Sequence, residues 1–153
     1  MTVTTDQIKK LREKCGAGIM ECRRALEESL GDEKKSLVWI KEKGIKIAEE
    51  KKTRETKHGL IESYIHNGGK VVSVVEVLCE TDFVARNKEF KNFAHELAMQ
   101  VAAMNPKNLE ELLKEEYIRE PEKTVKDLLT DLIGKIRENI KINRIARFEL
   151  GEA

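Results

Sequence analysis

Few residues in this chain could do covalent chemistry, and their spacing does not suit it. The histidines are His58, His66 and His95, and the cysteines are Cys15, Cys22 and Cys79. His58 and His66 have the even spacing that places two side chains on one face of a strand. No third ligand accompanies them, so ordinary surface histidines are the simpler reading. Three cysteines without a Cys-x-x-Cys pair argue for free buried thiols in a reducing compartment and against structural zinc. Gly16-Ala17-Gly18-Ile19-Met20 is too short for a phosphate loop and lacks its lysine. There is no Gly-x-Ser-x-Gly elbow and no His-Glu-x-x-His pair. No nucleophile has a visible base beside it, so the expectation is a protein that is not an enzyme and that holds neither metal nor cofactor.

The informative segment is instead Cys79-Glu80-Thr81-Asp82-Phe83-Val84-Ala85-Arg86. It follows an apolar run and precedes a long amphipathic pattern, a place where a rigid scaffold commonly displays binding residues. Two readings stand side by side. In one, Asp82 is the N-cap of the following helix and Phe83 or Val84 packs beneath the sheet as a staple. In the other, Phe83 is an exposed aromatic anchor for a partner.

The elements that would position this segment can be read from capping and periodicity. Thr4 and Gln7 have capping-box spacing, and Ile8, Leu11 and Cys15 then share a helical face. Gly16-Ala17-Gly18 breaks that helix, a second carries Met20, Ala25 and Leu26 to Gly31, and Asp32 caps a third that is expected to end near Gly44. Residues 45–57 read as a charged helical linker. Leu60 to His66 and Val71 to Leu78 are rich in β-branched residues, and Asn67-Gly68-Gly69 between them signals a hairpin. The second strand is apolar on both faces, which places it centrally. Phe90, Phe93, Ala94, Leu97, Ala98, Val101 and Ala102 mark the buried side of a long helix that begins at Asn87 or Lys88. A short helix is expected around Leu109 to Lys114, and another after Pro121 through Val125, Leu128, Leu129, Leu132, Ile133 and Ile136. In the closing run Ile140, Ile142, Ala146, Phe148 and Leu150 alternate with Lys141, Asn143, Arg147 and Glu149, as in a half-buried strand. The expected fold is α+β: a small N-terminal three-helix domain with its linker over residues 1–54, then over 55–153 a three-stranded antiparallel sheet with packed helices.

Composition narrows the function classes. The 153 residues are 40% hydrophobic and 37% charged, a globular balance. The net charge is +1, with 15 Lys/Arg against 11 Asp/Glu in residues 1–57 and 14 against 17 in the rest. Such a mild asymmetry, with few aromatics on the strands, speaks against direct nucleic-acid binding. No stretch approaches the roughly 20 apolar residues of a membrane span. The first residues lack the basic head and apolar run of a secretory signal, so a cytoplasmic protein is expected.

Three segments resemble the translation elongation factor Ts family of bacteria and organelles. Leu11-Arg12-Glu13-Lys14-Cys15-Gly16-Ala17-Gly18-Ile19-Met20-Glu21-Cys22-Arg23-Arg24-Ala25-Leu26 is similar to its N-terminal signature, and Cys79-Glu80-Thr81-Asp82-Phe83-Val84-Ala85 to its second. Glu138-Asn139-Ile140-Lys141-Ile142-Asn143-Arg144 with Arg147-Phe148-Glu149 looks like its final strand. The resemblance implies a guanine-nucleotide exchange factor of elongation factor Tu. It implies that the N-terminal helices form a ubiquitin-associated-like domain that docks on the GTPase through Arg12, Ile19, Met20 and Arg23. Thr81, Asp82, Phe83 and Val84 would be pressed into the partner, Phe83 entering between helices and displacing the elements that hold Mg²⁺ and phosphate. Ile19 stands where many relatives have Met. Longer members have two similar core subdomains and this chain has room for one, shortened between Asn105 and Pro121, so a homodimer is expected.

Overall fold

The computed structural model describes residues 2–152. Helix α1 (Thr5–Cys15) begins where Thr4 and Gln7 satisfy each other's free backbone N–H groups. Thr4 Oγ1 accepts from Gln7 N at 3.2 Å and Gln7 Oε1 accepts from Thr4 N at 2.9 Å. Gly16, left-handed at φ 65°, ends it. Helix α2 (Ile19–Glu28) follows, and Asp32 caps α3 (Glu33–Lys51) by accepting from Lys35 N at 3.0 Å. Leu11, Ala17, Cys22, Ala25 and Leu26 form the apolar centre of this bundle, with Leu37, Trp39 and Ile40 packed on it.

The third helix does not stop near Gly44 as its sequence suggests. It continues without interruption to Lys51 and leaves only residues 52–57 as irregular linker. Ile47, inside the expected linker, is buried in the second core. The cause is a helix crossing. Gly44 lies against Gly134 of α7 (Val125–Ile136), where a Cβ would stand 3.0 Å from the Gly44 Cα. Glycine in a helix costs about 1 kcal/mol relative to alanine; here it permits backbone contact between two helices, a use that periodicity alone cannot separate from a helix stop.

Strands β1 (His58–His66), β2 (Val71–Cys79) and β5 (Lys141–Glu149) form an antiparallel sheet in the order β1-β2-β5, so β2 is central. Val71, Ser73, Val75, Val77 and Cys79 of β2 are buried beneath α5 (Lys88–Met104), which Asn87 caps by accepting from Glu89 N at 2.8 Å. Phe90, Phe93, Ala94, Leu97, Ala98 and Val101 of α5 join that core. Helix α6 (Leu109–Lys114) follows, then a two-stranded ladder of β3 (Glu116–Tyr117) and β4 (Glu120–Thr124) that the sequence did not signal. Buried Gln100 holds this ladder, donating to Glu116 O at 3.0 Å and accepting from Ile118 N at 3.1 Å.

The alternation expected of β5 breaks midway. A register shift opposite Glu76 and Val77 leaves Asn143 unpaired, and Ile142, Ile145 and Arg147 then pair with the buried row Val77, Val75 and Ser73. Ala146 and Phe148 consequently face outward, and Phe148 is 68% exposed. One extra residue in a strand reverses the faces beyond it.

Candidate functional site

The Thr81–Val84 segment sits where β2 leaves the core. Cys79 is buried, and its thiol donates to Thr81 O at 3.2 Å. Burial, with the Glu138 carboxylate nearby, pushes that thiol up to about 11, so it stays neutral and structural. Beyond it the chain enters α4 (Asp82–Ala85), a single turn. The N-cap is Thr81, not Asp82: Thr81 Oγ1 accepts from Val84 N at 3.3 Å, and Asp82 is the first helical residue, paired with Arg86 at 2.8 Å. The shift follows from hydroxyl geometry, since Thr81 is extended and its side chain is already fixed from the far side.

That fixation comes from Glu138, 57 residues further along the chain. Its Oε1 accepts from both Glu80 N and Thr81 N at 3.1 Å, and its Oε2 accepts from Thr81 Oγ1 at 2.7 Å. Glu80 reciprocates: its Oε1 accepts from Asn139 N at 2.7 Å while Oε2 meets Arg54 at 3.3 Å. Asn139, itself buried, donates through Nδ2 to Arg54 O at 2.7 Å. Three separate stretches of chain are thus knotted behind one turn, and charge-assisted hydrogen bonds carry most of the knot.

The two readings of the segment divide between its residues. Ala85 is buried and Val84 packs against the main core. Phe83 is 80% exposed, and the Arg86 guanidinium stands 5.8 Å from its ring centroid. The four phenylalanines split evenly: Phe90 and Phe93 lie in the core, whereas Phe83 and Phe148 face out. Val84 is the residue that packs on the core, and the Phe83 ring projects away from it.

The expected docking residues all lie on the surface of the first bundle. Arg12 projects from α1, and Ile19 and Met20 open α2 at 56% and 60% exposed. Arg23, one turn after Ile19, pairs with Glu27 at 2.8 Å. A bridge joins this bundle to the turn. Glu21 accepts from Arg137 at 3.3 Å and lies 3.6 Å from Lys43. Arg137, left-handed at φ 63°, ends α7 and directly precedes Glu138. Adjacent residues therefore reach the N-terminal helices on one side and the Thr81 turn on the other.

Glu80 lies in the second family-like segment and Glu138-Asn139 in the third, but nothing in their spacing marks them, with Arg54 and Arg137, as the support of this site. The single available signal was a polar Glu-Asn step ahead of an apolar strand, and its partners are too distant in sequence for spacing to reveal. His58 and His66 are paired with opposite ends of β2. About 26 Å of strand separates them, well beyond a shared ligand.

Comparison with known proteins points one way. The family model described as elongation factor TS matches residues 80–153. The elongation factor Ts of Caldanaerobacter subterraneus subsp. tengcongensis is 40% identical over 195 aligned positions, which cover 98% of this chain and 98% of that protein. That of Thermoanaerobacter sp. strain X514 is 40% identical, covering 98% and 96%. That of Finegoldia magna is 41% identical over 203 positions, covering 98% and 90%. Against 195 aligned positions this chain offers 153 residues, so at least 42 of those positions are gaps in it.

Proposed function

The chain belongs to the elongation factor Ts family, and from that membership we propose that it binds elongation factor Tu carrying GDP in the cytoplasm and speeds release of the nucleotide, making and breaking no covalent bond. The observation that carries the reading is Phe83, 80% exposed on a turn clamped from behind by Glu138. An anchor of this kind works by differential affinity. If the ring enters its partner only when the elements holding Mg²⁺ and phosphate are displaced, its burial favours the displaced state. Burying one Phe contributes about 1.5–3 kcal/mol, or roughly 10- to 100-fold in that equilibrium. A second contact surface must add to this, and Arg12, Ile19, Met20 and Arg23 are the proposed one, on a ubiquitin-associated-like bundle over residues 1–54. Asp82 contributes through Arg86, holding the guanidinium beside the Phe83 ring. Nucleic acid, metal and cofactor have no part in the proposed action of this chain.

The test is displacement of fluorescent GDP from elongation factor Tu by catalytic amounts of this protein, followed by stopped flow. Phe83→Ala is expected to lower the rate at least about 10-fold, the lower bound for a buried Phe, with the far-UV dichroism unchanged. A variant that releases GDP at the full rate would end the proposal.

The same reading includes pairing of two copies. The outer face of the sheet supports it. Ile65, Val72 and Phe148 stand side by side across the three strands, next to Val74 and Ala146, and Ile65 and Phe148 are exposed. A contiguous apolar row on an open sheet face fits a second copy of that face related by a two-fold axis.

A further inference from the structure

Cys15 and Cys22 are separated by a helix end, a glycine turn and a helix start, yet the fold brings their sulfurs to 3.7 Å. Cys15 is the last residue of α1 and half-buried; Cys22 lies one turn into α2 and is fully buried, its thiol also 3.7 Å from Ala17 O. Between them Gly16 is left-handed, and a Cβ at Gly18 would meet nothing within 4 Å. Cys15 also lines a cleft of about 320 Å³ between the first bundle and α7, with Lys14, Glu21 and Lys135 close by. A small reagent thus has a way to Cys15, while Cys22 is fully buried behind it, with the Cys15 sulfur in contact.

We propose that Cys15 and Cys22 form a reversible two-electron dithiol site that is oxidised to an intramolecular disulfide by low-molecular-weight disulfides. The electron balance is that of two exchange steps. The Cys15 sulfur attacks the small disulfide RSSR, forming Cys15–S–S–R and releasing one RSH, which takes the Cys15 proton. The Cys22 sulfur then attacks the Cys15 sulfur, expelling the second R group as a thiolate that takes the Cys22 proton. The protein gives up two electrons and two protons, and RSSR leaves as two RSH. Burial, reinforced by the neighbouring Cys15, pushes the Cys22 thiol up to about 12, so it does not compete for the reagent in solution. Placement replaces acidity in the second step, because the target sulfur is already in contact. Closing from 3.7 Å to the roughly 2.05 Å of a disulfide requires side-chain rotation and a small shift of the turn, and two glycines permit that shift. The bond would tie together the two ends of the turn that leads into Ile19 and Met20, so the docking surface is where oxidation would be felt. Formation of the bond itself does not depend on the proposed function.

The experiment equilibrates the folded full chain with excess oxidised glutathione, quenches with acid, and maps the peptides by mass spectrometry. The expected product has lost two hydrogen masses, with Cys15 linked to Cys22, Cys79 free, and full reversal by dithiothreitol. Cys22→Ser should arrest at a stable glutathione adduct on Cys15, and Cys15→Ser should leave both remaining thiols unmodified. Wild type that stops at the Cys15 adduct would overturn the proposal, as would wild type that retains all three thiols or links through Cys79 or to a second chain. Near-ultraviolet dichroism of the reduced variants verifies that each is folded, so failure to react is not failure to fold.

Discussion

Glu138 does more for the exposed turn than any residue within it. Its carboxylate binds both the backbone N–H and the hydroxyl of Thr81, and that hydroxyl in turn caps α4. A four-residue helix has almost no stability of its own, because nucleation costs more than so few hydrogen bonds return. Its geometry, and with it the direction of Phe83, is therefore imposed from outside. Replacing Glu138 by Gln keeps one acceptor oxygen and loses the charge assistance; replacing it by Ala strands two backbone N–H groups. The expected costs differ accordingly, with Glu138→Ala at about 1–3 kcal/mol for the unsatisfied donors and Glu138→Gln below it. Thermal melts give the stability, and amide exchange at Thr81 and Val84 gives the local opening. GDP release should fall for Glu138→Ala although the variant keeps Phe83. Equal exchange protection at Val84 in wild type and Glu138→Ala would show that the clamp does not hold the turn.

At the scale of elements, the crossing of α3 and α7 decides how the first bundle sits on the rest of the molecule. The two glycines there are not equivalent. A Cβ at Gly44 would stand 3.6 Å from Thr130 O, ordinary contact, whereas a Cβ at Gly134 would press on the Gly44 backbone at 3.0 Å. Gly44→Ala should therefore be neutral or gain up to about 1 kcal/mol from helix propensity. Gly134→Ala should force the helices apart and lose about 1–3 kcal/mol, as overpacked contacts do. Urea unfolding of the two variants checks the asymmetry. If Gly134→Ala were the more stable, the helices would not be in the close contact described. Periodicity locates α7 and the start of α3, and Asp32, Thr124 and Asn87 all cap as their types suggest. Gly44 has the local signature of a helix stop, because a glycine after an apolar helical face usually is one. The distinguishing fact is a second glycine 90 residues away, and nothing local announces it.

For the whole molecule, the reach of α3 across both cores changes what a truncation would do. Ile47 belongs to the main core and α3 lies along α7. Removing residues 1–54 would uncover the side of α7 that carries Gly134, so that fragment should be less stable than the full chain and prone to aggregate. Removing 1–32 would leave α3 on α7 while baring Leu37, Trp39 and Ile40, so this fragment should keep the main core folded and melt above the 55–153 fragment even where both scatter light. Light scattering and thermal melts of the two fragments distinguish the cases; a 55–153 fragment as stable as the full chain would make α3 a mere tether. The outer sheet face makes a second prediction at this scale. If two copies pair through this face, Phe148→Lys should separate them in sedimentation equilibrium without loss of dichroism, since the ring is 68% exposed on the outer face. A wild type that sediments as monomer at high concentration would remove pairing from the proposed function.

The sequence is sufficient for α1, α2, the start of α3, α5, α6, α7, the central place of β2 and the position of the Thr81–Val84 segment after β2. These depend on local propensities, caps and apolar periods, all of which act within a few residues. It also carried enough signature residues to indicate the family. What it left open was the fate of Phe83, which spacing allowed to be either core staple or exposed anchor. Its exposure follows from the folded chain, in which Glu138 fixes the turn and Val84 packs on the core beneath. The same holds for the Asn143 register shift that turned Phe148 outward and for the meeting of Cys15 with Cys22. Each depends on which distant residues come to lie opposite one another, and a pairing of that kind leaves no periodic trace in the chain.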